Sequence, residues 1–236
     1  MRLQRRRLLT ALPLVAAASR ARAETVDLAL ICDTTLAPAL RLASAAYRRQ
    51  TGVQVFVFPT GPGLIVPQLE REVQNDIVVS QPAILAQVAH AGIVDAITST
   101  QWRNPLVIAG LQNARTDGGT FAVPDPSVAS DFDGPALLAR LQLDPARVLG
   151  AVDTDEVAFL ITSGAAQVGL LHLTDVRADE RLGVIRPVAS EVHPPLLYSA
   201  AVNRSAGRPN PQGFVSFLAG SEGTGILAAS GLEVVT

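Results

Sequence analysis

The chain has 236 residues, 48% of them hydrophobic, with 19 basic residues, all arginine, against 21 acidic ones. Six of the arginines and none of the acids lie in residues 1–23, so the remainder carries 13 basic and 21 acidic residues, a formal net charge of −8. That balance argues against a nucleic-acid or anionic-membrane binder, which needs basic patches, and the single cysteine, Cys32, excludes a disulfide framework or a cysteine-rich metal site.

In chain order, Met1 to Ala23 reads as an export signal. Arg2, Arg5, Arg6 and Arg7 form a positive start, Leu8 to Ser19 is an apolar run, and Ala21-Arg22-Ala23 is a small-x-small cleavage pattern. The run falls short of the roughly 18 residues that span a membrane. Arg5-Arg6-Arg7-Leu8-Leu9 is also similar to a twin-arginine address. A periplasmic protein cut after Ala23 is expected.

Beyond the signal, strand-like and helix-like segments alternate. Val26 to Ile31 is an apolar run suited to a buried parallel strand. Leu36 to Gln50 follows with Leu36, Leu40, Ala43 and Tyr47 at helical spacing, and Thr51-Gly52 stops it. Val53 to Phe58 reads as a strand, the turn through Pro59, Gly61, Pro62 and Gly63 leads to a helix reaching about Val73, Asp76 to Ser80 is a third strand, and Pro82 to Ala91 is a third helix ended by Gly92. This βαβαβα order implies a parallel sheet with helices on both faces.

Leu106 to Ala109 reads as a further strand and Asn113 to Thr120 as a loop, and a second, similar unit begins at Phe121-Ala122-Val123. It continues through helices at Pro135 to Leu143 and Asp155 to Ser163 and strands at Val168 to Leu173, Leu182 to Pro187 and Leu196 to Val202. Gly213 to Ala219 and Ser221 to Ala229 read as closing helices that return to the first unit.

These segments, in this order, resemble the periplasmic molybdate-binding proteins. The strand running into Asp33-Thr34-Thr35-Leu36, the stretches TGVQVFVF (residues 51–58), NDIVVSQP (75–82), RNPLVIAG (103–110), FAVPDPSVA and GLLHLTDV, the strand HPPLLYSAAV (193–202) and the closing NPQGFVSFLAGSEGTGIL carry the likeness. The resemblance implies an α/β, two-lobed type II periplasmic binding protein fold, each lobe a sheet flanked by helices, joined by two crossing strands. Lobe 1 is expected at residues 24–106 and 203–236 and lobe 2 at 107–202. It further implies a monomeric receptor that binds a tetrahedral oxyanion, molybdate or tungstate, without a metal or cofactor, and hands it to the membrane permease of an ABC transporter.

Such proteins hold the anion with hydroxyls and backbone N–H groups, and helix N-termini supply both unpaired donors and a positive dipole end. Carried over by position, the resemblance implies ligand contacts from Thr35, from Thr60 or Gly61, from Ser130 or Asp131, from the backbone at Leu171, and from the Tyr198 phenol. Departures stand beside these. Pro62, next to Gly61, replaces a donor and has no N–H, and Asp33, Asp131 and Asp133 bring carboxylates where a dianion would be repelled. Either these side chains turn away, or the ligand is a cation or a cationic or hydroxylated organic solute.

Enzymatic readings fare worse. Asp33 after an apolar strand is similar to the nucleophile of haloacid-dehalogenase-type phosphatases, but Thr35 stands where the second acid belongs and the chain has no lysine. Nothing local activates Cys32 for work with His172 or His193, and His90, His172 and His193 lack metal-ligand spacing. A sensory binding module without a transporter remains compatible, because fold does not fix function.

Overall fold

The computed structural model describes residues 27–71, 75–112, 119–124, 134–206 and 210–235; the expected export signal lies outside them. Strand β1 (Leu28–Asp33) is buried along its whole length, as a continuous apolar run requires of a central parallel strand. A single 3-10 turn, Thr34–Leu36, leads into α1 (Ala37–Thr51), which buries Ala39, Leu40, Ala43 and Tyr47 at helical spacing. Gly52 ends it at φ 79°, with its N–H on the Arg48 carbonyl. Then come β2 (Val55–Thr60), α2 (Pro62–Glu70), β3 (Ile77–Ser80) and α3 (Pro82–His90). Both helices start on a proline, whose missing N–H costs nothing at a first helical position.

Two short strands follow that the sequence reading lacks, β4 (Val94–Ile97) and β5 (Gln101–Asn104). Neither contains an apolar run, so hydrophobic patterning does not mark them. The chain passes to a second sheet at Pro105 and forms β6 (Leu106–Leu111), β7 (Phe121–Pro124), α4 (Gly134–Arg140), β8 (Val148–Ala151), α5 (Thr154–Thr162), β9 (Val168–His172), α6 (Leu173–Ala178) and β10 (Leu182–Pro187). It returns through β11 (Leu196–Asn203), α7 (Pro211–Ala219), α8 (Ser221–Ala229) and β12 (Glu233–Val235).

The first sheet has the order β12-β5-β11-β3-β1-β2, with β4 also on β11, and the second has the order β10-β6-β9-β7-β8. Strands β2, β1 and β3 run parallel, as do β8, β7 and β9. The architecture is therefore the expected α/β pair of sheets flanked by helices. One boundary shifts. The sequence reading puts residues 196–202 in the second lobe, yet β11 pairs with β3 from Ser199–Ser80 to Val202–Ile77 and with β5 at Leu196–Asn104 to Tyr198–Trp102. An apolar strand paired on both sides is an inner strand of the first sheet, and the crossing lies in the residues before Leu196.

Each sheet is packed on both faces. In the first, Leu28, Leu30 and Cys32 meet Leu40, Tyr47, Trp102, Tyr198 and Phe214 on the α1 side, while Ile31, Val78 and Ala201 meet Ile65, Leu85 and Val88 on the α2/α3 side. The second has its own two clusters, one around Leu171 and Ile161 and the other around Phe121 and Leu137. No helix among the described residues is long and apolar enough to cross a membrane.

Candidate functional site

At the carboxyl ends of the parallel strands of the first sheet, register aligns a polar row. Asp33 of β1 lies opposite Thr60 of β2, and Ser199 of β11 lies opposite Ser80 of β3. The Ser80 hydroxyl donates to the Asp33 carboxylate (Oγ to Oδ1, 2.6 Å), which joins the two halves. Side chains two residues apart on a strand share a face, and Ile31, Val78 and Ala201 all face α2 and α3. Thr60, Asp33, Ser80 and Ser199 therefore form one line on that face, against the starts of α2 and α3. Asp33 is 1% exposed, Ser80 0% and Ser199 1%. The Ser199 Oγ has no hydrogen-bond partner among the described residues, whereas Thr60 accepts from Gln68 Nε2 at 3.0 Å.

The helix starts beside this row carry no side-chain cap, at Gly61 for α2 and at Gln81 for α3. A Cβ added at Gly61 or Gly63 would meet nothing within 4 Å, so the first turn of α2 faces open space. Positive helix ends favour a nearby carboxylate, and Asp33 ends the strand that pairs with β2 and β3, from which these two helices start.

From the second sheet, β9 ends at His172, and α6 carries Thr174 and Asp175 to the first unit. Asp175 Oδ2 accepts from the His172 backbone N–H at 2.9 Å, and its Oδ1 accepts from the Thr35 hydroxyl at 2.8 Å. Thr35 and Thr174 hydroxyls are 2.9 Å apart, and Asn104 Nδ2, at the end of β5, donates to Thr174 Oγ1 at 2.9 Å. This part-buried cluster joins the two units beside the Pro105 crossing. Gly231 packs there too. At φ 100°, a Cβ on it would stand 2.9 Å from the Leu173 carbonyl carbon. A cavity of about 340 Å³ lies behind the contact, between α1, α6 and α8.

The start of α5 is also occupied by acids. Asp153 Oδ1 accepts from the Glu156 N–H at 2.8 Å, and Glu156 Oε2 accepts from the Val152 N–H at 2.6 Å. Burial, and after it the charges of Asp153 and Asp175, hold the Asp155 carboxyl above its ordinary range, with Arg41 opposing.

Of the sequence-derived contacts, Thr60 and Gly61 lie at the row and at the open helix start. Thr35 stands two residues past Asp33, but its hydroxyl already donates to Asp175. Tyr198 neighbours Ser199 on β11 yet faces the other side of the sheet, fully buried among Trp102, Cys32 and Phe214. Leu171 is buried in the second sheet, opposite Val107 of β6. Ser130, Asp131 and Asp133 lie outside the described residues. Sequence reasoning does not single out Ser80, Ser199, Asn104, Thr174 or Asp175. Ser80 and Asp175 do carry a local signal, as polar residues at a strand end before Gln81-Pro82 and three positions after His172.

Cys32 is buried, and burial, followed by the Asp33 charge, raises its thiol pKa, which suits a core residue and not a nucleophile. No group of three or more His, Cys, Asp or Glu residues among the described residues is placed to hold a metal ion.

Two sheets linked by two crossings, with an open helix start at the strand ends, define a two-lobed binding-protein fold. Solved structures share it. A substrate-binding domain assigned to a molybdenum ABC transporter of Clostridium difficile superposes with a TM-score of 0.71 at 19% identity, covering 89% of this chain and 99% of that one. The periplasmic molybdate-binding protein of Azotobacter vinelandii gives a TM-score of 0.73 at 16% identity, covering 89% and 100%. The sulfate-binding protein SubI of Mycobacterium tuberculosis gives a TM-score of 0.67 at 15% identity, covering 89% and 87%. At such identities the likeness carries the fold alone. A sequence comparison with curated proteins finds no match. The chain belongs to the bacterial extracellular solute-binding proteins, whose family pattern matches residues 28–233. It is thus a binder of solutes and not an enzyme, as its sequence suggested.

Proposed function

We propose that the chain is the extracytoplasmic receptor of an ABC-type uptake system, exported to the periplasm, and that it holds a small solute between its sheets at the line Thr60–Asp33–Ser80–Ser199. The ligand class follows from Asp33. Its carboxylate is buried at the end of β1 and receives the Ser80 hydroxyl at 2.6 Å, one of several contacts that it makes. Bringing a bare dianion to that point would set like charges together in a desolvated site. A solute that gives a hydrogen bond or a positive charge, an ammonium or a hydroxyl group, is instead complementary to it. On the other unit, Asp175, Asp155 and Asp153 carry the same sign, with Arg41 opposing them.

A second reading, the tetrahedral oxyanion molybdate or tungstate, draws support from the open first turn of α2 beside Thr60 and Gly61 and from the molybdate binders among the structural neighbours. Thermal-shift screening of residues 24–236 against amines, polyols, amino acids and oxyanions separates the two. Stabilisation by amine- or hydroxyl-bearing solutes supports the first, stabilisation by molybdate and tungstate alone supports the second, and no stabilisation by any small solute counts against a receptor role.

A further inference from the structure

The edge of the first sheet at β2, short of Thr60, carries a second surface beside the cleft row, and we propose that it docks an extended segment of a partner protein in which acidic and apolar side chains alternate. Strand β2 pairs only with β1 among the described strands, so its outer side is an unpaired edge. Such edges recruit a further strand unless they are blunted. Pro59 blunts only the end of this one, which leaves Val55 to Phe58.

The two faces beside that edge differ in chemistry. On the α1 side a groove of about 630 Å³ runs between helix and strand, lined by Arg41, Arg48 and Arg49 together with Gln54, Val55 and Val57. None of the three arginines has an ion-pair partner among the described residues. In a chain with more acidic than basic residues, Arg48 and Arg49, without an ion-pair partner among the described residues, and Arg41, which also acts on Asp155, mark a local field along the groove that attracts carboxylates. Phe58 and Phe56, whose side chains alternate with those of Val55 and Val57 although Phe56 also borders the groove, are 54% and 49% exposed, large half-open aromatic surfaces.

A strand added to β2 would place alternate side chains over the two faces. Acidic residues would then meet the arginines while apolar ones covered the phenylalanines. A second copy of this chain fits poorly. Antiparallel pairing of β2 with its own copy sets both α1 helices on the same side of the joined sheet, arginine groove against arginine groove.

The test uses residues 24–236 and two fluorescein-labelled seven-residue peptides, one alternating glutamate with valine and the other lysine with valine. Fluorescence anisotropy is expected to report binding of the glutamate peptide only, weakened by salt. Affinity is expected to drop at least about ten-fold in the doubly substituted Arg48→Glu, Arg49→Glu protein and in Phe58→Lys, each checked for native circular dichroism. Amide exchange is expected to slow at residues 55–58 when the glutamate peptide is bound. Equal binding of both peptides, no binding, or protection confined to other strands would overturn the proposal. So would concentration-dependent dimerisation that Phe58→Lys abolishes, because the edge would then belong to a second copy. Asp33→Asn leaves peptide binding unchanged if the surface is separate from the cleft.

Discussion

Substituting Gly231 by alanine tests the seam between the two units. Gly231 sits at φ 100°, where an L side chain costs about 1–2 kcal/mol. Its Cβ would also lie 2.9 Å from the Leu173 carbonyl carbon, 3.0 Å from the Leu173 oxygen and 3.0 Å from its Cγ. Two of those atoms are backbone at the first residue of α6, so relief requires α6 to move away from the first unit. Overpacking of this kind costs about 1–3 kcal/mol more. Gly164 supplies the control, since it has φ 82° and a Cβ there would meet nothing within 4 Å. Gly164→Ala carries the conformational cost without the collision. Urea denaturation is expected to give a loss of about 1–2 kcal/mol for Gly164→Ala and about 2–5 kcal/mol for Gly231→Ala. Equal losses would mean that the Leu173 contact exerts no constraint and that the seam is loose.

The other predictions concern single groups. Thr35→Val removes the hydroxyl that donates to Asp175 Oδ1. The bond to a carboxylate is worth about 1.5–3 kcal/mol at most, and its loss is expected to raise the radius of gyration measured by small-angle scattering; an unchanged value would deny it a role in holding the units together. Cys32, buried and with its pKa raised by burial, is expected to resist a disulfide-exchange reagent in buffer and react within seconds in guanidinium; fast native reaction would contradict its core placement. Asp155 titrates high, so the folded chain holds that proton to a higher pH than the unfolded chain. Its contribution is therefore present in acid and lost as pH rises through the folded pKa. Asp155→Asn is accordingly expected to raise stability at neutral pH, by less than about 1 kcal/mol for so exposed a side chain, with no gain in acid; denaturation at both pH values measures it.

The parallel core of the fold is legible in the sequence because its strands are apolar runs bounded by turn residues. Val26 to Ile31 anticipates β1, and Gly52 and Gly92 both end helices at positive φ. The hidden strands are β4, β5, β8 and β12, three or four residues each, whose pairing depends on partners far along the chain. For the same reason the site is legible only in part. Thr60 and Gly61 are marked by a strand-to-helix turn, a local signal. Ser80 meets Asp33 across 47 positions, and Thr35 meets Asp175 across 140. Nothing in one sequence announces such meetings. Tyr198, aligned by its flanking strand, is assigned to the cleft by position, but a strand's period of two decides its face. The register with Trp102 turns it toward α1.

The central claim is that Asp33 sets the sign of the ligand, and isothermal titration of residues 24–236 and of Asp33→Asn with molybdate, tungstate and sulfate tests it most directly. The account predicts no heat from molybdate, tungstate or sulfate with the unaltered chain, and measurable oxyanion binding once Asp33→Asn removes the charge. Tight binding of molybdate or tungstate by the unaltered chain, left the same or weakened by Asp33→Asn, would contradict it.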